Sequence, residues 1–314
     1  MVNKENKCCT KTSIGGQALI EGIMMRGPKK TMMAVRNPEG EIVLEEIEFL
    51  QNKRAKFFRL PFVRGIFNFI DSMKMGYKAL MRSAEIAMPE EEGEKPKTDE
   101  DKKKESTLMG IAAGIGGVLG VVLSVVLFLY LPAQLYALLV KVVPSLDSQL
   151  IRSVFEGVLR IIIMVAYMAA MCLVKDVRRT FEYHGAEHKT IFCYEAGLPL
   201  TVENIRGQRR FHPRCGTSFM ILMLLVGIII SMFITVDNPF LRTGIKLLLL
   251  PLTVGIGYEL IKFCGKYDNA LTKIIAAPGM LLQRITVHEP DDKMIECAIA
   301  AMTAVIPENS EKEI

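Results

Sequence analysis

The sequence predicts an α-helical polytopic membrane protein, with about four transmembrane helices and a small N-terminal α+β cytoplasmic domain. Three observations carry that expectation. Half of the 314 residues are hydrophobic and the mean hydropathy is +0.28, more apolar than a typical soluble domain. The apolar residues are gathered into blocks, and residues 108–131 run for 24 positions without a charge, enough for a helix to cross a hydrocarbon core of about 30 Å. Ahead of the blocks lies a glycine-punctuated stretch with strand-like alternation. A simple soluble enzyme, an intrinsically disordered chain and a secreted disulfide module are excluded. Seven cysteines (8, 9, 172, 193, 215, 264 and 297) are an odd number without framework spacing, which predicts reduced thiols. The net charge of +5 gives no reason to expect a nucleic-acid partner, and there is no internal repeat.

Residues 1–87 form the expected N-terminal cytoplasmic segment. The start, MVNKENKCCTKTS, has no apolar core of signal-peptide length and should stay where it is made. TMMAVRNPEGEIVLEEIEF predicts a hairpin: a strand near 31–36, a turn at Asn37-Pro38-Glu39-Gly40, and a strand near 41–48. GGQALIEGIMMRGPKK before it offers one more strand between glycine-marked turns, without a phosphate-loop pattern. From 61 to 84, Phe62, Ile66, Phe67, Ile70, Met73, Tyr77, Leu80 and Met81 follow helical spacing with Arg64, Lys74, Lys78 and Arg82 between them. Such a basic amphipathic helix suits either an anionic membrane face or the core of its own domain. Residues 88–107 are charged, lack apolar anchors and predict a flexible linker.

Four hydrophobic blocks follow. Helices 1 and 2 occupy 108–174, as blocks at 108–131 and 161–174; helices 3 and 4 occupy 219–263, as blocks at 219–236 and 244–261, the last kinked by Pro251. Gly110, Gly114, Gly116 and Gly120 form two Gly-x-x-x-Gly pairs that permit close helix approach. Glu156, Arg160, Glu259 and Lys262 fall near block ends, where snorkelling to the interface is expected, so a charged transport relay is disfavoured. Between the second and third blocks stand Lys175, Arg178, Arg179, Lys189, Arg206, Arg209, Arg210 and Arg214. The positive-inside rule puts this 175–218 loop in the cytoplasm, which with an internal N-terminus requires two crossings before it. Both termini are then cytoplasmic. Residues 264–314 carry amphipathic helices, one opened by Pro290-Asp291-Asp292, and a polar tail.

The chemistry lies in the 175–218 loop, which holds three of the four histidines. His184 and His188 stand at i,i+4, so on a helix both imidazoles lie on one face and can reach a single ion. Glu187 beside them completes the H-x-x-E-H pattern of inverted zinc peptidases, in which zinc activates a water and a carboxylate takes its proton. Phe211-His212-Pro213-Arg214-Cys215 offers His212 and Cys215 as further ligands; Cys193 and Glu195 are weaker ones. Three histidines alone would leave an open, catalytic position, whereas Cys215 added to them would close the shell. Gly185 inside the motif weakens its helix by about 1 kcal/mol. His288 stands apart, as a loop histidine. The arginines at 206, 209, 210 and 214 either grip an anionic substrate or headgroup or simply hold the loop inside.

On the segments GGQALIEGIMMRGP (15–28), YHGAEHKTIFCYE (183–195) and RFHPRCGTSF (210–219), the chain resembles the bacterial YqhQ family of uncharacterised membrane proteins, often described as predicted metal-dependent enzymes. The resemblance covers nearly the whole chain except the termini and the linker. It implies the bacterial cytoplasmic membrane, a site of His184, Glu187, His188, His212 and Cys215, and Gln17 and Glu21 as supporting groups. The expectation is therefore a cytosol-facing zinc site, with Glu187 as catalytic base and His184, His188, His212 and Cys215 as ligand candidates, in a hydrolase of peptide or lipid-linked substrates that meets membrane lipids. Its rivals are a non-enzymatic scaffold with a structural metal that docks a protein partner, and a transporter.

Overall fold

The structure, a computed structural model, describes residues 12–48, 58, 60–88, 114–267 and 269–307. The predicted linker after Met88, Cys8, Cys9 and Gly110 lie outside the described residues. The protein is mostly helical with one small antiparallel sheet, and it divides into two compact units.

The first unit draws together residues 1–89, 168–222 and 257–314. Its sheet runs β1 (Gly15–Leu19), β2 (Gly22–Arg26), β3 (Thr31–Arg36) and β4 (Ile42–Glu46) as a meander in that order. The predicted hairpin is present with Ala34 opposite Leu44, and Gly40 takes φ +90 at its turn while the Asn37 side chain accepts the Glu41 N–H at 2.7 Å. The preceding segment yields two strands rather than one. Glu21, at φ 50, turns the chain between them in place of the glycine that sequence reading looks for.

Alternation assigns the two faces of the sheet. Leu19, Met24, Met33 and Val35 face helix α1 (Val63–Ala87), where Met75 and Ala79 pack on them. Ile23, Met25 and Ala34 point the other way, against α4 (Lys175–Glu195) and the C-terminal α10 (Asp292–Val305). Helix α10 starts where Asp291 caps the Met294 N–H at 2.8 Å, as its proline and acids predict. Burying its Met294, Ile295 and Met302 contributes about 1.5–3 kcal/mol each before entropy is counted. The sheet is thus covered on both faces and shares one core with the histidine-bearing helix; the N-terminal segment does not stand as a domain of its own. The core reading of α1 is met on one side of the helix, while Ile70, Met73, Tyr77 and Met81 remain exposed with Lys74 and Lys78 between them.

The second unit comprises the described residues of 90–167 and 223–256. Helix α2 (Gly114–Val142) contains a π-helical turn at Val126–Tyr130 and buries none of its apolar window. A methyl group on Gly114, Gly116, Gly117 or Gly120 would meet nothing within 4 Å, so no helix approaches these glycines among the described residues. Helix α3 (Gln149–Met171) begins at Gln149 instead of 161, because it accepts charged residues that hydropathy counting treated as flanks. Helices α2 and α3 are long and apolar enough to cross a membrane; α7 (Pro239–Leu248) and α8 (Leu250–Lys266), bent by 49° beside Pro251, make a third candidate if taken as one span. Helix α6 (Gly216–Ser231), a shorter apolar helix of 16 residues, falls just below the usual length of a span. It stops where the Ser231 carbonyl is taken by the Gln149 amide and the Ser153 hydroxyl, both at 3.1 Å.

The expectation that Glu156 and Arg160 snorkel at a span end is overturned. Both lie well inside α3 with buried side chains, at 0% and 5% exposure.

Candidate metal centre

Helix α4 aims His184, Glu187, His188 and Ile191 at one cavity while Tyr183, Ala186 and Cys193 enter the core behind them. The i,i+4 spacing brings the two imidazole rings to 4.4 Å between centroids. The neighbouring chain can pack against this motif only because residue 185 is glycine. A Cβ there would collide with the His288 carbonyl, which belongs to the 287–291 segment between α9 (Ala270–Thr286) and α10. That close approach also sets the Thr286 carbonyl 3.0 Å from His184 Nδ1.

The second imidazole is held in the same way. His188 Nδ1 lies 2.5 Å from the Arg210 carbonyl. A ring nitrogen facing a carbonyl must carry the proton, so both histidines present an unprotonated Nε2 when neutral, as metal-ligating histidines do. Cys215 Sγ completes the group at 3.1 Å from His184 Nε2, and the ligand atoms of His184, His188 and Cys215 all lie within 4.8 Å of one another. The Cys215 segment is pinned by Gln283, whose side chain accepts the His212 N–H at 2.8 Å and donates to the His212 carbonyl at 2.7 Å and to Ser218 Oγ at 3.0 Å.

Burial disfavours charge on every group here, yet the cluster charges itself. Against burial, His184 and His188 hold the Cys215 thiol well below its ordinary value. Against burial too, the Cys215 thiolate, together with Glu187 and the Thr286 carbonyl, lifts His184 to about 9. Burial wins at Glu187, whose carboxyl is raised despite the attraction of His184 and His188 and a hydrogen bond from the Gly16 backbone N–H. Gly16 lets β1 come this close; a Cβ there would sit 2.8 Å from Glu187 Cγ.

His212 stands beside this group, not in it. Its ring is 5.5 Å from that of His188, and both its nitrogens face Arg214, Nδ1 accepting the backbone N–H at 3.3 Å. Burial and the neighbouring cations depress it to about 3, so it is a neutral acceptor. Cys193 Sγ points to the Leu198 and Pro199 carbonyls. Glu195 pairs with Arg214 and accepts the Thr12 N–H at 2.8 Å. Gln17 packs on Gly76 of α1, and Glu21 pairs with Arg179 and accepts the Tyr183 hydroxyl, so neither touches the cluster.

The basic residues of the loop are also engaged within the unit. Arg206 binds Asp292, Arg210 binds Glu289, and Arg209 lies over the Phe192 ring. His288 stays outside the group, its backbone N–H bonded to the Phe181 carbonyl.

The cluster forms the polar end of a cavity of about 740 Å³, whose remaining wall includes Ile14, Ala18, Phe69, Met73, Phe181 and Met220. Gly16, Thr286, Gln283 and the Arg210 carbonyl act through backbone or a distant helix, and only the glycine inside the H-x-x-E-H helix hints at them in sequence.

Fold and site define a class: a mostly helical protein with two or three helices long and apolar enough to cross a membrane, and a largely buried His-His-Cys group flanked by a carboxyl group. The chain belongs to the family described as "Protein of unknown function (DUF1385)", which matches residues 60–308. It is 32% identical over 294 residues to the "Uncharacterized protein YqhQ" of Bacillus subtilis (strain 168), covering 93% of this chain and 92% of that one. The resemblance read from the three sequence segments is therefore correct. No solved structure matches it.

Proposed function

We propose that this protein is a metal-dependent hydrolase of the bacterial cytoplasmic membrane. In this reading His184, His188 and Cys215 hold a zinc ion, and Glu187 is the general base. The observation that carries it is the convergence of two imidazole Nε2 atoms and one cysteine sulfur, with both Nδ1 atoms facing backbone carbonyls, beside a buried carboxyl on a cavity wall. The donor set suits zinc, which accepts imidazole and thiolate together. Three ligands, with His212 turned to Arg214, leave the fourth position open to the cavity, which favours catalysis over a closed structural site. Zinc bound there would bring the pKa of a coordinated water toward neutrality. Burial raises the Glu187 carboxyl, which makes it a stronger base than an exposed carboxylate, and Gly16 N–H fixes its orientation. The largely apolar wall favours a substrate with a hydrocarbon or apolar peptide portion. Four crossings, with α6 and the bent α7–α8 pair completing the count, would put this unit and both termini in the cytoplasm.

Metal analysis of the full chain purified in mild detergent tests the reading. About one zinc per chain is expected, lost in His184→Ala and in Cys215→Ser and kept in Glu187→Gln. The cobalt-substituted protein should show a thiolate charge-transfer band and a solvent ligand. Absence of stoichiometric metal overturns both enzyme and scaffold, and a cobalt centre closed to solvent leaves the scaffold. A reporter fused after Leu198 should be active only on the cytoplasmic side.

A further inference from the structure

The second unit buries an unbalanced charge cluster. Arg152, Glu156 and Arg160 occupy successive turns of α3, and Arg242 and Lys246 occupy successive turns of α7. The Glu156 carboxylate is fully buried and meets all four cations: Arg152 Nε at 3.3 Å, Arg160 Nη2 at 3.3 Å, Arg242 Nε at 3.5 Å, and Lys246 Nζ. None of the four cationic side chains is more than 9% exposed. Asp237 adds one acid, but it is almost wholly exposed and touches Arg152 alone.

Among the described residues the charges do not cancel. Arginine does not give up its proton in proteins. Even with Asp237 counted and Lys246 neutral, a positive charge is left over; with Lys246 charged, two are. An uncompensated buried charge costs several kcal/mol. Hydrogen bonding is incomplete as well. The terminal nitrogens of Arg242 find the Ile234 carbonyl at 2.6 Å and Ser153 and Ser231, but its Nε and that of Arg160 are buried without a hydrogen-bond partner. Both unpartnered N–H groups belong to guanidiniums that flank the same carboxylate.

One ligand meets both shortfalls. An oxyanion of charge near −2 with several acceptor oxygens cancels the excess and satisfies the two orphaned donors, and guanidinium forks match tetrahedral phosphate geometry. We propose that Arg160, Arg242 and Lys246 form a binding site for a phosphomonoester-type phosphate, either free inorganic phosphate or the headgroup of a phosphorylated lipid. A carboxylate supplied by another helix would bring a single charge and only two acceptor oxygens, and with Lys246 charged it would leave part of the excess. This site is independent of the histidine cluster, which belongs to the other unit.

The test uses the full chain in mild detergent. One arm measures radiolabelled inorganic phosphate by equilibrium dialysis. The other measures retention of dioleoyl phosphatidic acid against dioleoyl phosphatidylcholine by native mass spectrometry. Saturable binding of one phosphate per chain assigns a free anion; selective retention of phosphatidic acid alone assigns a lipid headgroup. In either case Arg160→Met should weaken binding tenfold or more, since a charge-assisted hydrogen bond is lost, and zinc content should not change. Arg160→Lys keeps the charge without the fork and should fall between them, which covers a methionine variant that fails to fold. The proposal is overturned if neither probe binds above phosphatidylcholine, or if both Arg160 variants bind as the parent does.

Discussion

Gly185 offers the sharpest test of how the histidine site is built. In Gly185→Ala the new methyl group would overlap the His288 carbonyl oxygen and press on Pro290 Cδ at 3.3 Å. Relieving it requires the 286–290 segment to retreat by on the order of 1 Å, judged against ordinary van der Waals separation. That segment is tied to α4 by the His288 N–H on the Phe181 carbonyl and by the Thr286 carbonyl on His184 Nδ1, both at 3.0 Å. Losing the two hydrogen bonds costs about 0.5–1.5 kcal/mol each, and alanine returns about 1 kcal/mol of helix propensity. Global stability should therefore fall only modestly, by about 0–2 kcal/mol. Metal affinity should fall further, because the carbonyl that orients His184 is displaced; such support is typically worth about 10–100-fold. Competition with a chromophoric zinc chelator, alongside thermal unfolding of the same sample, separates the two effects. A Gly185→Ala protein that binds zinc as tightly as the parent and melts higher would refute the idea that this glycine exists to admit the 286–290 segment.

Other outcomes follow from the same geometry. His212→Ala should keep its zinc within about tenfold, whereas Cys215→Ser should lose it, because the His212 ring accepts from Arg214 and stands outside the ligand group; equal losses in a chelator competition would return His212 to the shell. In chelated protein, iodoacetamide should alkylate Cys215 at a rate that stays level down through neutral pH, since His184 and His188 keep the thiol below its ordinary range, and zinc should protect it. A rate that climbs only above pH 8 contradicts this. Burial raises the Glu187 carboxyl, so its protonated form favours the folded state and that contribution is lost as pH rises through the raised pKa. Chelated Glu187→Gln should accordingly gain stability relative to the parent as pH rises and lose that advantage under acidic conditions; a melting difference that does not change with pH would contradict the buried-carboxyl account.

Much of the site was legible because helical spacing is a strong local rule. His184 and His188 on one face, and Cys215 a short way before an apolar helix, follow from sequence alone. The exclusion of His212 does not, since it depends on Arg214 reaching across two residues to occupy the ring. The strands were legible where turn chemistry was conventional, at Asn37–Gly40, and incomplete where Glu21 took a conformation usually left to glycine. Counting charge-free windows misplaced the start of α3, because that method cannot foresee Arg152 and Arg160 gathering around the Glu156 carboxylate inside the helix. The apolar length of 219–236 likewise overstated α6, which polar side chains terminate at Ser231.

The parts of the histidine centre arrive far apart in time. The ribosome delivers Gly16 first, then His184, Glu187 and His188, then Cys215, and only much later Gln283 and Thr286, with two apolar helical stretches to be threaded on the way. A nascent chain halted between residues 215 and 283 holds every candidate ligand yet lacks the carbonyl and the amide that steady them. The assembled cluster is thereby reserved for a nearly finished polypeptide, and an aborted or clipped product is left with the side chains but without the geometry.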